Sequence, residues 1–441
     1  MMKTNDLAKF ITSTNYHKLP ESVIEKTKLC FLDFLANTLR GSQTRSAKSV
    51  RAIIRDGNEA TIIGGSRTNT LDASLANGVS AHSLDLDDGH RLAQLHPGSC
   101  VIPAALALGE AYNKSGKDLI NSIVVGYQTA IKVGMLLNPE HRLRGFHSTG
   151  TCGTLGAASA ACKIMNLDYE TVLNALGLAG TQAAGLLESN HSGSMAKHLH
   201  AGKAAQNGVL SALLAKNDFT GAHTIIEGNE GFISTLADAD VRHNHYYHIY
   251  PPSEEYEILR VYFKNYPVCR HLHSSLDAVF KLMAINDLKS SEISGVTIET
   301  YKIAAEHQDY HPKTREAIKQ SLPITTAIAL KKGRLKLENL HQDQSISEIA
   351  GKISIKCEKE LNKLYPMERP SKVTIKTKNQ SYTERINLPL GEPEKPYNKK
   401  DLQNKFLDLN HLVKIDVLDQ LDQLDKMQIR DLMEIIKPNF S

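Results

Sequence analysis

Gly153-Thr154-Leu155-Gly156-Ala157-Ala158-Ser159-Ala160-Ala161 is the stretch on which the fold turns, and Ala175-Leu176-Gly177-Leu178-Ala179-Gly180 repeats its character. Small residues at this density let helices approach closely, and a loop has no use for so much alanine, the best helix former. Toward the N-terminus the period stays helical: Val23, Thr27, Cys30, Phe31, Phe34 and Leu35 are spaced to share one helix face. Residues 1–255 therefore read as a large helical bundle with tightly packed inner helices. The turn-rich Tyr250-Pro251-Pro252-Ser253 marks a boundary. Beyond it, residues 296–300 and 353–357 alternate with period two, and residues 373–377 and 382–386 flank a hairpin turn. Residues 256–388 are thus expected to form a smaller α+β domain. A Pro- and Gly-containing linker, 388–396, leads to a helical tail with Phe406, Leu407 and Leu409, predicted to pack back on the bundle. The expected fold class is mostly α, with a large all-helical domain built from 1–255 and 389–441.

Composition narrows the function. The chain has 441 residues and a net charge of +4, with 41% apolar and 23% charged residues, inside the ordinary range for globular proteins. No Lys/Arg run is interleaved with aromatic residues, so no nucleic-acid partner is expected. The six cysteines are scattered without a C-x-x-C pair and read as reduced thiols of a cytoplasmic protein. The first residues offer no apolar signal region, and stretches such as 101–108 and 123–127 are far shorter than the roughly 20 residues of a bilayer helix. No membrane partner is expected.

Four polar clusters carry the chemistry. The first runs from Asn77 through His82, Asp85, Asp87, Asp88 and His90 to His96-Pro97. Three carboxylates and three imidazoles this close together are costly to desolvate unless they pair with one another or with a ligand. If the helical period continued, His82, Asp85 and Asp88 would share one face. An EF-hand fails here because His96 stands where the bidentate glutamate belongs. The second cluster, 144–153, contains His147, Thr149 and several glycines. It lacks the register and the preceding strand of a dinucleotide loop, and suits a helix N-terminus that could take a carboxylate. The third, 193–205, holds Lys197 and Lys203 among small residues; a lysine buried there must find an anion. The fourth, 266–273, holds Cys269, Arg270 and His273 at the expected domain junction, where ligand clefts tend to form.

The pairs His198/His200, His243/His245 and His271/His273 match no zinc spacing, so no metal and no cofactor are expected. There is no G-x-S-x-G elbow, P-loop or cysteine-protease signature.

Taken in order, these blocks resemble the MmgE/PrpD family, which includes 2-methylcitrate dehydratases, cis-aconitate decarboxylases and iminodisuccinate epimerases. The resemblance spans nearly the whole chain, through 77–88, His96-Pro97, 101–107, Gly145-Phe146-His147, 153–158, 197–205, Tyr266-Pro267 with Cys269-Arg270 and His273, and Ser321-Leu322-Pro323. It implies an all-helical domain with a smaller α+β lid, a homodimer without metal, and an active site between the domains. It places catalytic positions at Asp85, His96, His147, Lys197 and His273, and we expect His90, Thr149, Lys203 and Arg270 from the same blocks to bind substrate. One departure stands out: Gly89 occupies the place where many dehydratases and decarboxylases of the family carry a threonine.

The expected partner is a small di- or tricarboxylate. The reactions in question make or break a bond beside a carboxylate, so they need a group that moves a proton at carbon and cations around the developing anion. His147 or Lys197 is expected to move that proton, with Asp85 orienting a base or relaying a proton. Dehydration or decarboxylation is the expected outcome. Epimerisation and a catalytically inactive carboxylate-binding relative are the alternatives.

Overall fold

The computed structural model describes residues 3–237, 256–411 and 416–436. The expected boundary at 250–255 and the pair His243/His245 lie outside the described residues.

The chain is mostly helical. Its principal helices are α1 (Glu21–Gly41), α2 (Thr70–His82), α3 (Gly98–Ala111), α4 (Gly116–Leu137), α5 (Ser148–Met165), α6 (Tyr169–Gln182) and α7 (Ala196–Lys216). The small residues do the work expected of them. At Gly126 on α4 and Gly156 on α5 an added Cβ would sit 2.8 and 2.7 Å from the other glycine's carbonyl oxygen. At Gly78 on α2 it would lie 2.8 Å from the Cα of Gly202 on α7. Backbones this close leave room only for hydrogen, so any side chain there would force the helices apart.

Helix α4 is long and apolar enough to cross a bilayer, yet 94% of its apolar window is buried inside the protein, as in the core helix of a bundle. One hydrophobic core joins residues 7–263 to Leu402, Phe406, Leu421, Ile429 and Met433 of the C-terminal tail. The tail helix α10 (Lys399–Leu409) lies against α1.

A second core is built from Tyr266 to Ile375 together with Leu84 and Leu86. It surrounds a four-stranded sheet in the order β2 (Ile353–Cys357), β1 (Ile293–Thr300), β3 (Ser371–Thr377), β4 (Ser381–Ile386). The β1–β2 pair is parallel and the other two pairs are antiparallel, with β3 and β4 forming the expected hairpin. Helices α8 (His273–Ile285) and α9 (Leu322–Lys332) cover the sheet.

The segment after α2 ties the two cores together. Helix α2 ends at His82, so the helical face expected to carry His82, Asp85 and Asp88 does not exist. The sequence Leu84-Asp85-Leu86-Asp87 alternates instead: both leucines enter the second core, and Asp85 takes a left-handed φ of 55°, a conformation in which aspartate is several-fold enriched. Three lysines from distant segments fix this loop by its carbonyls. Lys319 Nζ donates to Ser83 O at 2.8 Å, Lys264 Nζ to Asp85 O at 2.9 Å, and Lys405 Nζ to Leu86 O at 2.7 Å.

Candidate active site

Three bundle helices start at one place. Asp88 Oδ1 accepts from the backbone N–H of Gly98 at the start of α3, His147 immediately precedes α5, and Lys197 lies in the first turn of α7. Their N-terminal ends carry partial positive charge, which favours an anion in the space between them. His96, His147 and Lys197 line a cavity of about 50 Å³, joined by Asp85, Tyr262, Lys264, Cys269, Arg270, His271 and Arg369. Arg142, Leu187 and Asn190 belong both to this cavity and to an outer hollow of about 380 Å³, and so form its mouth.

Asp85 is the carboxylate at the centre. Its Oδ2 is 2.9 Å from Lys197 Nζ and accepts from Gln320 Nε2 at 3.1 Å, while Oδ1 is 2.5 Å from Lys264 Nζ. Burial alone would raise its pKa, but the two ammoniums hold it well below the carboxylate range. Burial also works against the charged form of Lys197, and Asp85 more than offsets this, so Lys197 titrates above an ordinary lysine. Lys264 is fully enclosed, and desolvation with repulsion from Lys197 lowers its pKa despite Asp85. Two cations thus share one anion, which leaves an excess of positive charge.

Asp87 and Asp88 face elsewhere. Asp87 Oδ2 accepts from His82 Nδ1 at 2.7 Å, and its pKa is depressed: the His82 and His96 rings outweigh burial. Asp88 accepts from Tyr127 Oη at 2.7 Å; burial and the nearby Asp33 push its pKa up to about 7. The Asp88 carbonyl holds His96 Nδ1 at 2.6 Å. A carbonyl only accepts, so Nδ1 carries the proton. Burial lowers the His96 pKa to about 3, which leaves Nε2 unprotonated at neutral pH. Thr149, fully buried, accepts from the His96 backbone N–H at 3.1 Å and so positions this ring.

His147 Nδ1 lies 3.0 Å from His200 Nδ1, and burial together with the His200 ring lowers the His147 pKa well below that of a free histidine. His273 is completely buried and stands behind the cavity wall. Its Nε2 donates to Val268 O at 3.3 Å, and its Nδ1 accepts from Arg270 Nη1 at 3.1 Å. Arg270 is also held by Glu392 Oε1 at 2.9 Å. The Tyr262 ring packs beneath Arg270, 4.3 Å from its guanidinium carbon, with Arg369 5.7 Å away.

Of the expected residues, the structure brings Asp85, His96, His147, Lys197 and Arg270 together on the cavity wall, with Thr149 and His273 directly behind. It places two outside. His90 is buried 3.7 Å from Glu257, and Lys203 is exposed, bonded to Gln206 Oε1 at 2.8 Å. Lys264, Arg369 and Arg142 were not singled out in the sequence, and only Lys264 had a cue, standing two residues before the Tyr266-Pro267 block.

Tyr262 fills the space beside Gly89. A Cβ at Gly89 would lie 2.4 Å from Tyr262 Oη and 2.5 Å from Cζ, so the phenol occupies the room a side chain at 89 would need. His82, Asp87 and His96 bring possible metal-ligand atoms within 4.8 Å of one another. The 2.7 Å His82–Asp87 contact is a hydrogen bond, shorter than the roughly 3.3 Å between neighbouring ligands of a tetrahedral zinc, so the trio would have to open to take an ion.

The family model described as the MmgE/PrpD N-terminal domain matches residues 5–243, and that described as the MmgE/PrpD C-terminal domain matches residues 266–426. Among curated relatives, the cis-aconitate decarboxylase of Aspergillus terreus is 25% identical over 437 residues, covering 90% of this chain and 87% of the relative. The human cis-aconitate decarboxylase is 25% identical over 435 residues, covering 91% and 86%. The cis-aconitate decarboxylase-like protein oryM of Aspergillus oryzae is 27% identical over 339 residues, covering 71% and 69%.

Proposed function

From the starting point that the chain belongs to the MmgE/PrpD family, we propose that it is a carbon–carbon lyase that decarboxylates a small unsaturated tricarboxylate of the cis-aconitate type. The carrying observation is the excess of cations over carboxylates: Lys197 and Lys264 share Asp85 in a cavity that Arg142, Arg270 and Arg369 also line. Such a site suits a substrate with several carboxylates. The names of the relatives point to the same acid.

In the proposed reaction the bond between carbon and the departing carboxylate breaks. Carbon dioxide leaves, and the electron pair delocalises toward a remaining carboxylate. Lys197 and the guanidinium groups stabilise that charge; donors of this kind are worth about 2.7–4 kcal/mol each in comparable sites. His147 returns a proton to carbon, Asp85 holds the two lysines in place, and His273 positions Arg270.

A second reading rests on His96. An imidazole with a free Nε2 beside a proton-donating His147 could also exchange a proton at a carbon bearing a carboxylate, as an epimerase does. Incubating the protein with cis-aconitate, 2-methylcitrate, citrate and iminodisuccinate in deuterated water, followed by proton NMR, separates the two. Carbon dioxide release with one deuterium in the product supports the decarboxylase; deuterium entering without other change supports the epimerase. The proposal includes a homodimer, checked by light scattering of the full chain.

A further inference from the structure

We propose that His200 is the entry point of a proton relay that recharges His147 from outside the cavity. The proposal rests on the decarboxylase reading above, in which each turnover consumes one proton at carbon.

The pair stands between two spaces. His147 lines the inner cavity, whereas His200 lines a separate surface hollow of about 520 Å³ together with Gly150, Leu186 and Lys203. The two rings meet Nδ1 to Nδ1 at 3.0 Å, a contact that requires one proton between them. The cavity opens toward the outer hollow at Arg142 and Asn190, so a tricarboxylate seated against its wall would fill that mouth. Water is then cut off from His147 on the substrate side. The hollow beside His200 remains open.

The chemistry needs this second side. Burial keeps both rings neutral at pH 7, with His200 lowered to about 4. A neutral imidazole that gave its only proton to carbon would become an imidazolate, too basic to form inside the protein. The balance closes if protons move in step. Hydronium or a buffer acid in the hollow gives a proton to His200 Nε2 and leaves as water or the conjugate base, the Nδ1 proton of His200 passes to His147 Nδ1, and the Nε2 proton of His147 goes to the carbon that lost carbon dioxide. One proton enters and one C–H bond forms. The groups around His200 are His82, Lys197 and His198, with Lys203 and Glu188 lining the same hollow. Lys197 repels a lasting positive charge on His200, which favours passage over storage.

The test compares wild type with His200→Asn, whose amide can keep a hydrogen bond to His147 Nδ1 but cannot pass a proton through a ring. With cis-aconitate, kcat is expected to fall at least tenfold with KM within about twofold, the solvent deuterium isotope effect on kcat to grow, and added imidazole to restore at least a third of the lost rate. A kcat within twofold of wild type overturns the relay. So does a fall in kcat with an unchanged isotope effect and no rescue, which is the mark of a merely structural histidine. If wild type turns over no acid, the decarboxylase reading fails and the relay is judged without substrate. Nitrogen-15 NMR of histidine-labelled protein should then show the His147 ring proton exchanging with solvent at least tenfold more slowly in His200→Asn, and equal rates overturn the proposal.

Discussion

Lys264 Nζ lies 2.5 Å from Asp85 Oδ1 and also donates to the carbonyl of the same residue at 2.9 Å, although the two are 179 positions apart. One ammonium thus fixes both the carboxylate and the left-handed backbone that presents it. Lys264→Met is expected to lower kcat/KM by 10²–10³-fold and to destabilise the fold by about 3 kcal/mol, because Asp85 keeps Lys197 but its carbonyl loses its partner. Steady-state kinetics and urea unfolding of the same variant check both figures. Turnover within threefold of wild type in Lys197→Ala and His147→Ala would sink the roles given to those residues.

Asp88 sets a pH dependence of stability. Burial and Asp33 raise its folded pKa to about 7 from an ordinary 3.8. A raised pKa means that the folded state binds the proton more tightly. Its contribution is complete below pH 3.8 and is lost as the pH climbs through 7, at up to about 1.4 kcal/mol per pH unit. Asp88→Asn should flatten urea-derived stability between pH 4 and 7. Asp85 works in the opposite window: its depressed pKa stabilises the fold above 3.8 and fails as the pH drops further.

Gly89 and Tyr262 occupy one space between them. Gly89→Ala should cost about 1–3 kcal/mol by overpacking. Adding Tyr262→Val should recover most of it, giving a coupling energy of at least 1 kcal/mol in a double-mutant cycle read by urea unfolding. Additive effects would show that the phenol does not fill the place of the missing side chain.

Cys269 lines the cavity with Sγ 3.8 Å from His307 Nε2. Burial pushes the thiol up, but the His307 ring outweighs it and lowers the pKa to about 6. Iodoacetamide should therefore alkylate Cys269 with a rate midpoint near pH 6, and a carboxylate substrate should protect it. Labelling followed by mass spectrometry reads both, with the exposed Cys357 as internal control.

Local pattern made part of this architecture legible. Side-chain size alone points to close helix packing around Gly156, and a lysine among small residues points to an anion for Lys197, which proves to be Asp85. Lys203 could have been set aside by the same logic, since six residues along a helix is a turn of about 240°, onto a different face. The alternation of Leu84 and Leu86 with Asp85 and Asp87 is an extended pattern, and extending the helix through it puts His82, Asp85 and Asp88 on one face that does not exist. Arg369 lies beyond local pattern, and Lys264 has no cue but its place two residues before Tyr266-Pro267. Each is a single basic residue whose burial follows from tertiary packing, and no spacing in the sequence encodes that.

Lys405 gives the molecule an order of assembly. From the tail helix its ammonium reaches Asp33 Oδ1 at 2.6 Å, Leu86 O at 2.7 Å and Lys264 O at 3.0 Å, so it clasps an early helix, the Asp85 loop and the segment that carries Lys264. During synthesis most of the bundle and the sheet emerge before residue 405, and until then the buried Asp33 lacks the Lys405 ammonium. Chains cut before residue 405 should therefore leave Asp33 without this ammonium and the Asp85 loop unclasped, so the pocket depends on a segment far along the chain from the helices that line it.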